Sequence, residues 1–164
     1  MKDLEVAMLK FLSQKEKELL DTAESFEELL EIALAVLGRM PKPIVQVCGP
    51  ITTGGRGSAE ENIKFFRAAA KLLLQKGHNV FGQMIFHDSM IRIMENKYSG
   101  DAYCMPILDI FYKGVFTSGH VSEAIFLPDW QSSKGACWER DAVLEHNIVI
   151  RDFPEEWLVE INID

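Results

Sequence analysis

The chain has 164 residues, a formal net charge of −8 and a pI of about 5.0. Its length predicts one main domain with a real core, and 48% hydrophobic and 26% charged residues are ordinary for a soluble globular protein. The acidic balance argues against a nucleic-acid partner, because phosphate backbones attract basic surfaces.

The N-terminal residues, the lengths of the apolar runs and the number of cysteines indicate the cellular compartment. No apolar run approaches the length of a membrane span, and residues 1–5 lack the basic-then-apolar layout of a signal peptide. Cys48, Cys104 and Cys137 are an odd number without close pairing, so a disulfide framework is not expected. We therefore predict a cytoplasmic protein with no membrane partner.

Residues 1–40 are predicted to form an N-terminal helical extension, because apolar residues recur there at helical spacing. Ser25 and Glu28 make a capping box that starts one helix, and Gly38 is its predicted stop signal. The extension is expected to pack on the main domain or on a partner subunit.

Residues 41–164 alternate between strand and helix patterns. Strands are predicted at residues 44–48, 79–81, 124–127 and 147–150. Helices are predicted at residues 59–75, around 89–95, at 105–115 and at 136–145, with a polar loop through residues 97–101. This alternation predicts an α/β fold: a flavodoxin-like or Rossmann-like doubly wound parallel sheet of four to five strands.

The glycine-rich segment at residues 49–58, which we call the first loop, joins the first predicted strand to a helix. A doubly wound sheet binds phosphate or ribose at such a position. Gly49 and Gly54 have P-loop spacing, but Gly55 and Arg56 replace the Lys-Ser/Thr pair, which excludes an NTPase. The third glycine of a dinucleotide fingerprint is absent as well. An ordinary flexible loop is the alternative.

Two carboxylates are candidates for catalysis. Glu139 is predicted in the first turn of the helix that starts at Ala136, and Ala142 and Val143 share its face, so its carboxylate points along an apolar surface. The helix dipole would keep a nucleophile there ionised, although acidic first turns are common without function. Asp109 lies in an apolar run and is either on the solvent face or functional. Facing Glu139 across a cleft, it would complete the pair used in acetal-like cleavage.

Other polar residues give weaker signals. The four histidines have no metal-ligand spacing. His87 follows the second predicted strand, where a surface role is favoured over a place near the site. Trp130 is a candidate for stacking on a base.

Three motifs together resemble the nucleoside 2-deoxyribosyltransferase superfamily. They are Cys-Gly-Pro-Ile-Thr-Thr-Gly-Gly-Arg at residues 48–56, Asp109 in its helix, and Ser-Lys-Gly-Ala-Cys-Trp-Glu at residues 133–139. The likeness covers about residues 44–150. It is closer to the branch of 2'-deoxynucleoside 5'-monophosphate N-glycosidases and their uncharacterised bacterial and phage relatives, because Ser133 stands where the transferases use an acid.

The resemblance implies a role for each residue of the site. Glu139 is the expected nucleophile on the anomeric carbon, and Asp109 is expected to transfer a proton or orient the base. Ser133, Arg56 and the amides near Gly54 and Gly55 are expected to contact phosphate. The full predicted substrate-binding set is Gly49, Ile51, Thr52, Gly54, Gly55, Arg56, Asp129, Trp130, Ser133 and Gly135.

The same resemblance implies no metal or organic cofactor, and a homodimer or larger homo-oligomer in which a neighbour completes each site. The expected function is hydrolysis of the N-glycosidic bond of a (deoxy)nucleoside 5'-monophosphate. Three alternatives stay open: a nucleoside 2-deoxyribosyltransferase, a non-catalytic nucleotide-binding sensor, and an interaction module built on the N-terminal helices.

Overall fold

A computed structural model describes residues 3–98, 100 and 104–161. The helices are α1 (Asp3–Leu9), α2 (Gln14–Thr22), α3 (Phe26–Arg39), α4 (Ala59–Gln75), α5 (His87–Lys97), α6 (Lys113–Thr117), α7 (Lys134–Glu145) and α8 (Glu155–Leu158). The strands are β1 (Ile44–Cys48), β2 (Asn79–Val80), β3 (Val121–Phe126) and β4 (Val149–Asp152). Short 3₁₀ turns occupy Gln83–Phe86 and Trp130–Ser132, and a π-helical segment, Ile107–Tyr112, leads into α6.

The four strands form one parallel sheet in the order β2-β1-β3-β4. The predicted α/β class and Rossmann-like parallel sheet are confirmed. The chain leaves β1 towards β2 on one side and later returns to β3 on the other side of β1. This reversal makes the β1/β3 boundary a topological switch point, and ligands of open α/β sheets bind outside the carboxyl ends of the strands at such a point.

Helices cover both faces of the sheet. Successive side chains of β1 point to opposite faces, and each face is buried by its own set of helices. Ile44 and Cys48 pack into a core with α3, α5 and the π-helical segment, whereas Val45 and Val47 pack against α4. All five residues of β1 are buried, as expected for a central strand of a parallel sheet.

The N-terminal helices share the core of the sheet. Side chains of α3 such as Leu29 and Val36 are fully buried in the same cluster as β1 and β3. Arg92 of α5 donates hydrogen bonds to the carbonyl oxygens of Leu20 (3.1 Å) and Ala23 (2.8 Å), which ties the end of α2 to the α/β unit. Burial of one face of α3 therefore stabilises the whole fold.

Two details of α3 differ from the prediction. Ser25 accepts a hydrogen bond from the Glu28 amide, but the Glu28 carboxylate accepts from the Glu24 amide, so the capping box is only half formed. Gly38 does not stop the helix, which continues to Arg39. The cap is Met40, in an extended conformation immediately before Pro41, because a residue preceding proline avoids helical geometry.

Several predicted boundaries are also corrected. The strand predicted at residues 147–150 is Val149–Asp152, because Asn147 has a left-handed φ of 57° and still belongs to the turn after α7. The predicted helix 105–115 carries a π-helical segment and continues to Thr117. Ser99 and Asp101 of the predicted polar loop lie outside the described residues. No helix among the described residues is long and apolar enough to cross a membrane.

Candidate active site

Glu139 lies over the carboxyl end of β1. It is on the buried face of α7 with Gly135, Ala136 and Val143, and only 6% of its surface is exposed. The predicted orientation along an apolar surface is confirmed. The predicted position in the first helical turn is wrong, because α7 begins at Lys134 with Ser133 as N-cap, which places Glu139 in the second turn.

The environment of Glu139 favours its protonated form. Burial raises the pKa of Glu139 to about 8, against a smaller lowering by a hydrogen bond with the Cys48 thiol. Its Oε2 has no hydrogen-bond partner among the described residues. The dipole therefore does not hold this carboxylate ionised, because its effect fades beyond the first turn while desolvation acts in full.

The first loop is held in place by Asn62 of α4, which is 3% exposed. Its Nδ2 donates to the carbonyl oxygens of Ile51 (3.1 Å) and Gly54 (3.0 Å), and its Oδ1 accepts from the Arg56 amide (2.7 Å). One buried side chain thus satisfies three backbone groups of the loop, which fixes the loop conformation beside β1.

The first loop is also joined to residues 128–133, which we call the second loop. Ser132 Oγ accepts a hydrogen bond from the Gly55 amide (2.8 Å), and Thr53 Oγ1 accepts one from the amide of Lys134, the first residue of α7 after the second loop (3.1 Å). Gly54 has a φ of 67°, and a Cβ there would collide with the Ser132 carbonyl. The two loops that follow β1 and β3 therefore form one clasp at the switch point.

A cavity of about 310 Å³ lies between this clasp and α5. The loops and α7 contribute Gly49, Ile51, Thr52, Thr53, Ser133, Gly135 and Glu139. The other lining residues come from α5 and the segment before α6 and are His87, Met90, Ile91, Met94, Cys104, Ile107, Leu108 and Tyr112. Its volume is at the lower end of the range for small-molecule sites, and its mixture of apolar walls with a few polar groups is typical of them.

The cavity gathers half of the twelve predicted site residues, and half lie outside it. Those that line it are Gly49, Ile51, Thr52, Ser133, Gly135 and Glu139. Those that do not are Gly54, Gly55, Arg56, Asp129, Trp130 and Asp109.

The outlying residues Gly55 and Arg56 of the first loop make contacts within the protein. The Gly55 and Arg56 amides, expected to bind phosphate, donate to Ser132 and Asn62. The Arg56 guanidinium lies 4.6 Å from the centre of the Phe65 ring. No lysine or arginine lines the cavity among the residues described.

The second loop places Trp130 away from the cavity. Its ring packs against Phe126, with centroids 5.8 Å apart, and the Arg140 guanidinium lies 4.3 Å from its centre. Arg140 is in turn bonded to Asp152 (2.7 Å). Asp129 adopts a left-handed φ of 64° at the start of the turn and is exposed. These contacts explain why neither residue reaches the cavity.

Asp109 lies in the π-helical segment with an exposed side chain, whereas its neighbour Leu108 faces the cavity. Within one chain, the structure does not bring Asp109 and Glu139 together in this cavity. A role for Asp109 in proton transfer stays a prediction.

Sequence reasoning missed three contributors to the site. Asn62 looked like any polar residue of an amphipathic helix, and its burial depends on how the first loop folds. Cys48 is buried in the core, and its thiol is also the hydrogen-bond partner of Glu139, which no sequence pattern indicates. His87 was assigned to the surface, whereas it lines the cavity. Its position shortly after β2 is the available signal, because carboxyl ends of parallel strands share an edge.

Among the described residues, no group of three or more His, Cys, Asp or Glu side chains is arranged to hold a metal ion. Comparisons of the chain with protein-family models, with curated proteins and with solved structures find no match.

Proposed function

We propose that the protein cleaves the N-glycosidic bond of a nucleoside or nucleoside 5'-monophosphate, with Glu139 as the nucleophile. The observation that carries the proposal is the buried carboxyl of Glu139 in a cavity at the switch point of the sheet. A carboxyl with a pKa of about 8 in such a cavity is the kind of perturbed group that clusters at functional sites.

Cleavage of this bond develops positive charge on the sugar ring. An ionised Glu139 next to the anomeric carbon stabilises that charge and then forms a glycosyl ester, while the base departs with a proton. Water then attacks the anomeric carbon and releases the sugar and the carboxylate. If a second base attacks in place of water, the reaction is a transfer.

The shape of the cavity supports a bound nucleoside. Met90, Met94 and Ile107 supply apolar surface for the flat faces of a base, and Thr52 and Ser133 supply hydroxyl groups to the cavity that Glu139 also lines. Phosphate recognition has a donor on the cavity wall in the amide of Gly135, in the first turn of α7, where the helix dipole favours an anion. Because Arg56 is stacked on Phe65, phosphate contributes less to affinity than the sequence motifs predict.

The test is the release of free base, followed by chromatography, from a panel of ribo- and deoxyribonucleosides and their 5'-monophosphates. Glu139→Gln runs beside the wild type, because glutamine preserves the shape of a protonated glutamate and cannot act as the nucleophile. Glu145→Gln, on the exposed face of α7, is the matched control. Release that is lost only in Glu139→Gln supports the proposal, and undiminished release in that variant contradicts it.

The second candidate function is a nucleotide-binding sensor, which is favoured by the protonated resting state of Glu139. It predicts that a nucleotide raises the melting temperature without any base release. The same panel, read by thermal melting, separates the two functions.

A further inference from the structure

We propose that His87 carries the proton for this reaction and protonates the nucleobase as it leaves, while Glu139 holds the sugar. This inference rests on the proposed function and assigns the proton-handling role to a residue of the same cavity. The sequence motifs gave that role to Asp109, whose side chain is exposed.

The topology brings His87 to the site. His87 begins α5, directly after the 3₁₀ turn that follows β2, and Glu139 lies on the helix that follows β3. Strands β2 and β3 flank β1, so the elements that follow them meet at the carboxyl edge of the sheet, on either side of β1. Both side chains line one cavity of about 310 Å³, so a ligand bound there can contact both of them.

His87 is the group on the cavity wall best suited to give and take a proton near neutral pH. The titratable side chains that share the cavity with it are Glu139, Cys104 and Tyr112. The charged groups that act on it from outside are Asp88 in its own helix and Arg67 of α4, which is paired with Glu5 of α1 at 2.8 Å. The ring itself has no hydrogen bond to another described residue, so its nitrogens are available to a ligand.

The two groups hold one proton between them in the reactive form. Burial lowers the pKa of His87, Asp88 partly offsets this effect, and Arg67 adds to it. Because burial raises the pKa of Glu139, the resting cavity has a neutral imidazole and a neutral carboxyl. The reactive minor form has the same proton on His87 and an ionised Glu139, so the pair has no net charge in either form.

The reaction balances with that single proton. The Glu139 oxygen forms a bond to the anomeric carbon as the C–N bond breaks, and the imidazolium of His87 gives its proton to the departing base. In the second step, neutral His87 accepts a proton from water while the water oxygen attacks the anomeric carbon and Glu139 leaves as a carboxylate. The pair has then regained its one proton.

The experiment compares substrates that need a proton with substrates that do not. We would measure kcat/KM for base release from deoxyadenosine and deoxyguanosine, their 5'-monophosphates and the N7-methylated forms of all four. An N7-methylated purine is already cationic and leaves without protonation, and kcat/KM reports the steps up to base release. The variants are His87→Gln and, as the matched control, His146→Gln at the end of α7.

We expect His87→Gln to lower kcat/KM for the ordinary purine compounds about 100-fold or more, and for the N7-methylated compounds less than about 3-fold. His146→Gln should leave both unchanged. For the wild type on ordinary substrates, we expect a bell-shaped plot of kcat/KM against pH. For His87→Gln on the methylated substrates, we expect kcat/KM only to rise with pH, because the proton carrier is no longer needed.

Equal losses on both kinds of substrate would mean that His87 acts only through the shape of the cavity, and no loss on either would remove it from the reaction. Both outcomes overturn the proposal, as does a wild type that releases no purine from any of these compounds. Glu139→Gln is measured in the same series. If that variant keeps its activity, the assignment of the nucleophile fails while the comparison of leaving groups still judges His87.

Discussion

Replacing Glu139 with glutamine should change how the stability of the protein depends on pH. Burial raises the pKa of Glu139 from its ordinary value of 4.5 to about 8 in the folded state. A raised pKa means that the folded chain holds the proton more tightly than the unfolded chain between these two values. Stability from this group is therefore fully present below pH 4.5, falls as the pH rises, and is lost above pH 8.

The size of the effect follows from the two pKa values. Each pH unit between them is worth 1.36 kcal/mol, so the ionised carboxyl costs the folded state about 5 kcal/mol above pH 8. Glu139→Gln removes this cost because its amide does not ionise. For a chain of this size, about 5 kcal/mol corresponds to a gain of about 10–20 °C in melting temperature over the wild type at pH 9.

The assay is thermal or urea unfolding of both proteins at intervals from pH 4.5 to pH 9. Glu16→Gln is the control, because the hydrogen bonds of Arg39 lower the pKa of Glu16 to about 2, well below this window. Its difference from the wild type should be constant with pH, whereas that of Glu139→Gln should grow and level off above pH 8. A constant difference for Glu139→Gln would refute a buried, protonated carboxyl.

Three further substitutions test the loops and the second predicted carboxylate. Asn62→Ala should destabilise the protein by about 2–4 kcal/mol in urea unfolding, since it leaves three backbone groups of the first loop unpaired, while Asn79→Ala, which loses one exposed hydrogen bond, should cost much less. Gly54→Ala should lower the free energy of unfolding by about 1–3 kcal/mol more than its positive φ alone would, because the added Cβ meets the second loop. Gly57→Ala is the control for the cost of a positive φ, because a Cβ there meets nothing within 4 Å. Equal losses of stability in the two variants would contradict the clasp. Asp109→Asn should change kcat/KM for base release less than about 5-fold because its side chain is exposed, and a loss of 100-fold or more would restore it to the site.

Periodicity and turn residues were sufficient to predict the class of fold. The bounds of β1 and α4 match the prediction residue for residue, because each has a clear apolar pattern between strong breakers. The predicted helix boundaries are wrong where the capping residue is set by local hydrogen bonds. Helix α7 begins two residues before the predicted start, because the Ser133 hydroxyl caps it by accepting a hydrogen bond from the Ala136 amide (3.2 Å). Glu139 therefore lies in the second turn.

The sequence predicts the site residues whose place in the cavity follows from the order of strands and helices alone. Residues at the ends of β1 and at the start of α7, such as Gly49, Ser133 and Glu139, reach the cavity because the sheet topology brings these ends together. The predicted ligand contacts of Arg56 and Trp130 are wrong because each side chain makes a tertiary contact away from the cavity. Arg56 lies over Phe65, and Trp130 lies under Arg140. No local pattern could have weighed a stacked guanidinium against a bound phosphate.

In the proposed reaction, Glu139 forms a covalent bond to the sugar. The most direct measurement is intact-protein and peptide mass spectrometry after incubation with purine 2-fluoro-arabinonucleosides and their 5'-monophosphates. The 2-fluoro group slows breakdown of a glycosyl ester because it disfavours positive charge on the ring. We expect a fluorosugar adduct on the peptide that contains Glu139, with none in Glu139→Gln. Release of base by the wild type without any adduct, or an adduct on another residue, would contradict it.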